Sequence, residues 1–252
     1  MSQPGRVRDL VLLHGWGTNA GVWRMLAKHL ASRFQLHTPV LPYAAGKPAY
    51  QAQAVHEVAE RLASRAPERC AVVGWSLGAL VALAWAQRAP QQICRLALIA
   101  ASPCFVRKVG WPHAIAGAAL QDFARDLRRD IAGTLTRYVA LQARGDAHAA
   151  SVARYLRETL SATGHEPEGA ALQRGLSMLS QTDMRPVLST IAQPALVMHG
   201  DRDAIAPLAA GRYLAQALPE ARIAVIEGAA HVPFASEPRQ AHARLASFLD
   251  EG

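Results

Sequence analysis

The chain has 252 residues, of which 51% are hydrophobic and 18% are charged, and its 27 Lys and Arg residues outnumber 19 Asp and Glu residues to give a net charge of +8. This composition is typical of one folded α/β domain and excludes a disordered chain. It contains no run of the roughly 18 apolar residues that a membrane helix needs, and no secretory signal, so we expect a cytoplasmic protein without membrane association.

Short apolar runs alternate with helical patterns along most of the chain. The predicted strands cover residues 9–14, 35–40, 71–74, 95–100, 194–200 and 221–226. The predicted helices cover residues 22–33, 50–65, 77–88, 207–218 and 237–250. This alternation is typical of βαβ units, so we predict an α/β fold with a mostly parallel sheet flanked by helices.

One segment interrupts the alternation. Residues 105–186 contain several helix-like stretches and no convincing strand. We interpret them as a helical cap inserted into a single domain, whose core covers residues 1–104 and 187–252. Ligands of open α/β sheets bind outside the carboxyl ends of the strands, so the cap is expected to cover the site.

The sequence GWSLG at residues 74–78 joins a predicted strand to an apolar helix and fits the G-x-S-x-G nucleophile elbow. Such a turn is so tight that side chains at Gly74 and Gly78 would collide with neighbouring backbone. Ser76 would then project above the sheet as a nucleophile. The N–H of Leu77 would point to where an oxyanion forms.

A nucleophilic serine needs a base to remove its proton and a third group to orient that base. The loop HGDRDAIAP offers Asp201 and Asp203, and the later loop IEGAAHVPF offers His231. The order Ser, Asp, His is that of α/β-hydrolases. We predict Asp203 as the acid, because it lies a few residues past the strand end, and Asp201 mainly as a helix N-cap.

The surroundings of the histidines favour His231 as the base. His14 and His199 each precede a glycine at a strand end, which indicates packing or loop shaping, whereas His231 lies in a Gly/Ala-rich loop after the last predicted strand. The backbone N–H of Trp16, in LLHGWG, is predicted to complete the oxyanion hole, although core packing alone would also account for its indole.

The remaining chemistry-bearing residues show no further pattern. The three cysteines Cys70, Cys94 and Cys104 have no C-x-x-C or zinc-type spacing, which predicts buried reduced thiols and no metal site. The basic residues are scattered and accompany no nucleic-acid-binding motif. We therefore expect no cofactor and no nucleic-acid partner.

The motifs together resemble the α/β-hydrolase superfamily, and more closely the pimeloyl-acyl carrier protein methyl ester esterases of biotin synthesis. The resemblance rests on LVLLHGWGTNAGVWR, VVGWSLGALVA, ASPCF, RYVALQARG and IEGAAHVPF. It implies a serine carboxylesterase that acts on a carrier-bound methyl ester. Members of the superfamily usually have Asp-Leu-Pro-Gly where this chain has Val40 to Tyr43, so that loop is expected to be rebuilt.

The resemblance also implies site residues and a partner. The residues implied to contact substrate are Trp16, Ser76, Leu77, Tyr138, Val139, Ala140, Leu141, Gln142 and His231. The partner is an acidic acyl carrier protein, and Arg137 and Arg154 best match arginines that family members present to it. A solvated face with local salt bridges to Asp122, Asp126 and Glu158 accounts for the arginines of this region equally well.

Two other functions remain open at this stage. A general short-chain carboxylesterase without a carrier partner would use the same triad. A non-catalytic α/β-hydrolase scaffold is disfavoured because Ser76, Asp203 and His231 are all present. The expected oligomeric state is a monomer.

Overall fold

The structure, a computed structural model, describes residues 7–41, 54–161 and 169–251. Six parallel strands form one sheet in the order β2-β1-β3-β4-β5-β6. The strands are β1 (Asp9–Leu13), β2 (Gln35–His37), β3 (Cys70–Trp75), β4 (Ile93–Ile99), β5 (Ala195–Gly200) and β6 (Ala221–Ile226). The parallel α/β sheet predicted from the sequence is confirmed.

Helices follow each strand of the described chain: one each after β1, β2, β3 and β5, four after β4 and two after β6. They are α1 (Arg24–Leu30), α2 (Ala54–Ala63), α3 (Leu77–Arg88), α4 (Gly117–Arg129), α5 (Ile131–Gln142), α6 (Ala149–Ser161), α7 (Gly169–Gln181), α8 (Leu208–Ala217), α9 (Pro233–Ser236) and α10 (Pro238–Asp250). Within the described part of the chain, no helix combines the length and the apolar character needed to span a membrane.

Apolar side chains form a core on each face of the sheet, because successive residues of a strand point to opposite faces. In β1, Val11 and Leu13 join the core on the side of α2 and α3. Leu10 and Leu12 join the core on the side of α1 and α10. Burial on both faces explains why the central strands β1, β3 and β5 are continuous apolar runs.

Two predicted elements are shorter than the sequence pattern indicates. The strand predicted at 35–40 ends at His37, because Pro39 has no N–H to donate to the neighbouring strand, and Val40 is 70% exposed. The helix predicted at 22–33 begins with a 3-10 turn at Ala20–Trp23 and ends at Leu30. Residues 42–53, including Tyr43 and the start of the helix predicted at 50–65, lie outside the described residues.

The described residues between β4 and β5 contain α4, α5, α6 and α7 and no strand, only two isolated bridges. We keep the division into core and cap as our interpretation of this arrangement.

The strand order places β2 on one side of β1 and β3 on the other. The crevice at that change of direction is where open α/β sheets bind ligands, and Ser76 follows β3 there.

Candidate active site

The turn between β3 and α3 is strained at Ser76, whose backbone φ is 55° and ψ is −116°. The flanking glycines make room for it. A Cβ atom at Gly74 would lie 2.5 Å from the carbonyl oxygen of Gly78, and one at Gly78 would collide with the carbonyl oxygen of Leu13. The elbow is therefore packed backbone against backbone on the end of β1, which fixes the position of the serine.

A chain of hydrogen bonds joins Ser76, His231 and Asp203. The distance from His231 Nε2 to Ser76 Oγ is 2.9 Å, and that from His231 Nδ1 to Asp203 Oδ2 is 2.7 Å. Since the aspartate accepts, Nδ1 carries the imidazole proton and Nε2 is left to accept from the serine hydroxyl. All three residues are buried.

The Asp203 carboxylate is held in its ionised form. Burial alone would raise its pKa, but its interactions with His231 and His199 and the hydrogen bond from the Ala206 N–H together lower the pKa below its usual value. Its other oxygen, Oδ1, accepts from the N–H groups of Ile205 and Ala206 at 2.8 and 2.9 Å. These donors fix the carboxylate in the orientation that the imidazole requires.

Two neighbouring residues have different roles. Asp201 accepts from the N–H of Gly228 at 2.8 Å. The N-cap role predicted for it is wrong, since α8 begins only at Leu208. His199 is fully buried, and burial lowers its pKa, so it is neutral and donates from Nε2 to the carbonyl of Ala206 at 2.6 Å. It therefore shapes the loop that carries Asp203.

The cavity in front of Ser76 has a volume of about 130 Å³ and almost entirely apolar walls. Its lining includes Trp16, Ser76, Phe105, Leu120, Phe123 and Tyr138. The Trp16 indole packs edge-on against Tyr138, with ring centroids 4.8 Å apart, and donates to the carbonyl of Leu172 at 2.9 Å. Such a cavity suits an aliphatic chain whose reacting end lies at the serine.

The sequence matches the family described as alpha/beta hydrolase fold over residues 10–238. It is 42% identical to a protein of Aromatoleum aromaticum named pimeloyl-[acyl-carrier protein] methyl ester esterase, over 91% of this chain and 93% of that protein. Proteins of the same name from Nitrosomonas europaea and Chromobacterium violaceum are 38% and 40% identical. Those matches cover 94% and 98% of this chain, and 93% and 96% of the respective relatives. This chain belongs to their esterase family.

Solved structures agree on the fold of this esterase family member. An esterase from Exiguobacterium antarcticum superposes with a TM-score of 0.83 at 19% identity. A bromoperoxidase from Bacillus anthracis superposes with a TM-score of 0.85, also at 19% identity. Each match covers 98% of this chain and 93% of the other chain, and at such identity it shows the α/β-hydrolase fold alone.

The motif ASPCF, at residues 101–105, forms the start of the cap. Ser102 Oγ donates to the carbonyl of Cys104 at 2.7 Å, and the indole of Trp111 donates to that same carbonyl at 2.7 Å. This arrangement turns the chain away from the end of β4 and brings Phe105 into the cavity. The motif therefore shapes both the start of the cap and one wall of the cavity.

The oxyanion-hole residues predicted for this esterase lie on both sides of the serine. Leu77 is the first residue of α3, so its N–H has no acceptor within the helix. Trp16 follows β1 across the cavity, next to the strand on which the elbow packs. Both positions are compatible with donors aimed at the reacting carbonyl, and their assignment stays a prediction.

The five residues of α5 predicted to contact substrate do not all face the cavity, because successive residues of a helix point in different directions. Tyr138 and Leu141 line it. Val139 packs into the core around Trp23, and Ala140 is exposed. Gln142 is buried with no partner for its side-chain amide among the described residues, and its backbone carbonyl accepts from the N–H of His231 at 3.2 Å.

The arginines predicted to meet a carrier lie on the outer surface of the cap. The side chains of Arg137 and Arg154 are 58% and 71% exposed. Arg137 borders a groove of about 560 Å³ that also includes Leu141 of the cavity wall. Both arginines also make long ion-pair contacts of 3.9 Å, Arg137 with Asp126 and Arg154 with Glu158, which are worth little at an exposed site.

The cysteines offer no rival nucleophile. Burial raises the pKa of Cys70 to about 12 and also raises those of Cys94 and Cys104. Across the described ranges, no group of three or more His, Cys, Asp or Glu side chains is arranged to hold a metal ion.

Several cavity residues were missed by the sequence reasoning. They are Phe105, Ile115, Ala119, Leu120, Phe123, Leu176, Leu179 and Ile205. Four of them show a pattern that could have indicated burial, because Leu120 and Phe123, and likewise Leu176 and Leu179, are apolar residues three apart on helical stretches. That spacing indicates a buried helix face but does not distinguish a core from a cavity wall.

Proposed function

We propose that this protein is a serine carboxylesterase that hydrolyses the methyl ester of pimeloyl-acyl carrier protein to pimeloyl-acyl carrier protein and methanol, in biotin biosynthesis. The observation that carries the proposal is the hydrogen-bonded chain from Asp203 through His231 to Ser76, at 2.7 and 2.9 Å, beside an apolar cavity. The substrate class is supported by relatives 38% to 42% identical that have this name.

In the proposed mechanism, Ser76 Oγ attacks the ester carbonyl while His231 Nε2 takes the hydroxyl proton. Asp203 holds the imidazole and stabilises the imidazolium that forms. The backbone N–H groups of Trp16 and Leu77 bind the oxyanion, each contributing roughly 3 kcal/mol to the transition state. His231 then gives its proton to methanol as it leaves.

The second half of the reaction uses the same groups. His231 removes a proton from a water molecule, which attacks the acyl-enzyme, and the proton then returns to Ser76 as the acid is released. The apolar walls at Phe105, Phe123 and Tyr138 suit the methylene chain of the acyl group. No cofactor takes part in these steps.

We propose that Arg137 and Arg154 meet the acidic carrier, because both are exposed on the cap and Arg137 borders a groove that shares Leu141 with the cavity wall. Replacement of both by Glu should lower kcat/KM for the carrier-bound ester at least tenfold and leave a small soluble methyl ester within twofold. Equal effects on both substrates would favour a general carboxylesterase without a carrier partner.

The cytoplasmic location and the monomeric state stay predictions.

The function is tested by incubating pimeloyl-acyl carrier protein methyl ester with wild type and with Ser76→Ala, followed by mass spectrometry of the carrier. We expect the carrier to lose one methylene mass with wild type alone. An unchanged carrier, together with cleavage of p-nitrophenyl butyrate, would discard this substrate and keep the serine hydrolase.

A further inference from the structure

The loop that carries His231 is fastened to the cap by three hydrogen bonds. The N–H of Ala147 donates to the carbonyl of Gly228 at 2.8 Å, and the N–H of His231 donates to the carbonyl of Gln142 at 3.2 Å. Between these two contacts, the N–H of Ala230 donates to Asp146 Oδ2 at 2.7 Å. The base of the triad is therefore positioned from the cap as well as from the sheet.

Asp146 lies at the centre of this connection. It follows α5 in the loop before α6 and is only 7% exposed. Its Oδ1 accepts from the N–H of His148 at 2.7 Å and from the hydroxyl of Ser236 in α9 at 2.8 Å. One carboxylate thus joins the cap loop, the histidine loop and α9.

The donors to this carboxylate are neutral, and such charge-assisted bonds are about twice as strong as neutral ones. They offset the cost of burying the carboxylate, which would be large without partners. Because the Ala230 N–H immediately precedes His231, its bond to Asp146 fixes the backbone at the point where the imidazole begins. The backbone carbonyl of His231 is fixed from the core, by the Trp75 indole at 2.8 Å.

We propose that Asp146 is a positioning residue for the reaction: through Ala230 it holds the His231 loop against the cap, so that the imidazole stays within reach of Ser76. The inference rests on the proposed serine-esterase mechanism but not on the identity of its substrate. Asp146 therefore links the catalytic base to the loop that follows α5, the helix that supplies Tyr138 and Leu141 to the cavity. A contact of 3.0 Å between His148 and Glu237 also joins the cap loop to the end of α9, on the exposed side.

The test replaces Asp146 by Asn. The amide has one acceptor oxygen where the carboxylate has two, so it cannot accept from both the Ala230 and the His148 N–H groups; with its oxygen on His148 and Ser236, its NH₂ group faces the Ala230 N–H and that contact is lost. A shift of about 1 Å in a catalytic group lowers the rate by about 100-fold. We expect kcat for p-nitrophenyl butyrate to fall between about 10- and 100-fold, with KM within about threefold, in a protein that keeps its wild-type circular dichroism spectrum.

Asp183→Asn is the matched control. Asp183 also belongs to the segment between β4 and β5, and its carboxylate also accepts a backbone N–H, that of Arg185 at 3.2 Å, together with side-chain donors from the same residue. Among the described residues, its hydrogen bonds and ion pairs go to Arg185 and Lys108 and not to the histidine loop, so kcat of Asp183→Asn should stay within twofold of wild type. Ser236→Ala, which leaves the Ala230 contact in place, should lower kcat by less than about threefold.

Three results would overturn the inference: folded D146N and D146A proteins that both keep kcat within twofold of wild type, a loss expressed in KM instead of kcat, or equal losses in the Asp146, Asp183 and Ser236 variants. Asp146→Ala has no side-chain acceptor, so it loses the Ala230 contact whichever way the D146N amide turns. If neither variant folds, Asp146→Ser is measured against the same limits. Wild type that cleaves p-nitrophenyl butyrate but not the carrier-bound ester would contradict the proposed substrate and leave this inference intact.

Discussion

The helices α3 and α4 border the same site but are held in different ways. Helix α3, which follows Ser76, buries ten of its twelve residues, whereas α4 in the cap buries only Leu120 and Leu127 of its thirteen. The serine is therefore held by tightly packed backbone. The cavity, in contrast, is formed by a few side chains on amphipathic helices. We therefore expect the core to hold the nucleophile rigidly and the cap to determine mainly which ester reaches it.

The largest expected effect is a difference in kcat between variants of two aspartates of the core, Asp203 and Asp201. Asp203→Asn should lower kcat by about 10⁴-fold, because the imidazole loses its orienting acceptor and takes the wrong tautomer. Asp201→Asn, in the same loop but bonded to Gly228, should lower kcat by less than about tenfold. Steady-state kinetics on p-nitrophenyl butyrate measures both. A larger loss in the Asp201 variant would reverse the assignment of the acid.

The next prediction compares glycines in the two regions. Gly78→Ala should lower the free energy of unfolding by about 3 kcal/mol, because its methyl group would collide with the Leu13 carbonyl in a backbone that cannot move. Gly117→Ala at the start of α4 would meet only Val106 Cγ1 at 3.5 Å and should raise stability by about 0.5 kcal/mol. Urea unfolding measures both changes. Similar losses at both positions would contradict the difference in packing.

A third prediction concerns pH and the core. Burial lowers the pKa of His14 from 6.5 to about 4, so His14 stays neutral in the folded protein while the unfolded chain takes up a proton. Stability should therefore fall as pH drops from 6.5 to about 4, by up to about 3 kcal/mol from this residue. His14→Gln should show a shallower decrease over this range in unfolding measurements. An equal pH dependence in both proteins would contradict this effect.

The smallest predicted effect lies in the cap. Phe123→Ala removes one wall of the cavity and an edge contact to Trp16, whose ring centroid is 5.4 Å away. The weaker burial of the acyl chain should raise KM for p-nitrophenyl butyrate about tenfold. Because the hydrogen bonds that hold the triad do not involve Phe123, kcat should stay within threefold. A loss in kcat with KM unchanged would show that the wall also aligns the ester with Ser76.

The same difference explains what could be predicted from the sequence. Ser76, Asp203 and His231 lie next to strand ends in short loops with glycine or alanine neighbours, so local pattern and chain order indicate them. The cavity residues Leu120 and Phe123 carry only a helical apolar spacing, which a core face shares.

Contacts between distant segments could not be predicted from local pattern. Asp146 is a single acid in a cap loop, and its donors Ala230 and Ser236 are 84 and 90 residues away. Nothing in the sequence around it indicates burial. For α5, the resemblance gave five consecutive residues as substrate contacts, but the helical period turns only Tyr138 and Leu141 toward the cavity.

The central claim, that Ser76 is a nucleophile activated by His231, is tested most directly by peptide mapping after treatment with a fluorophosphonate. We expect a single modified peptide, which contains Ser76, in wild type, and no modification in His231→Ala. An unmodified wild type, a label on another residue, or equal labelling without His231 would contradict the account.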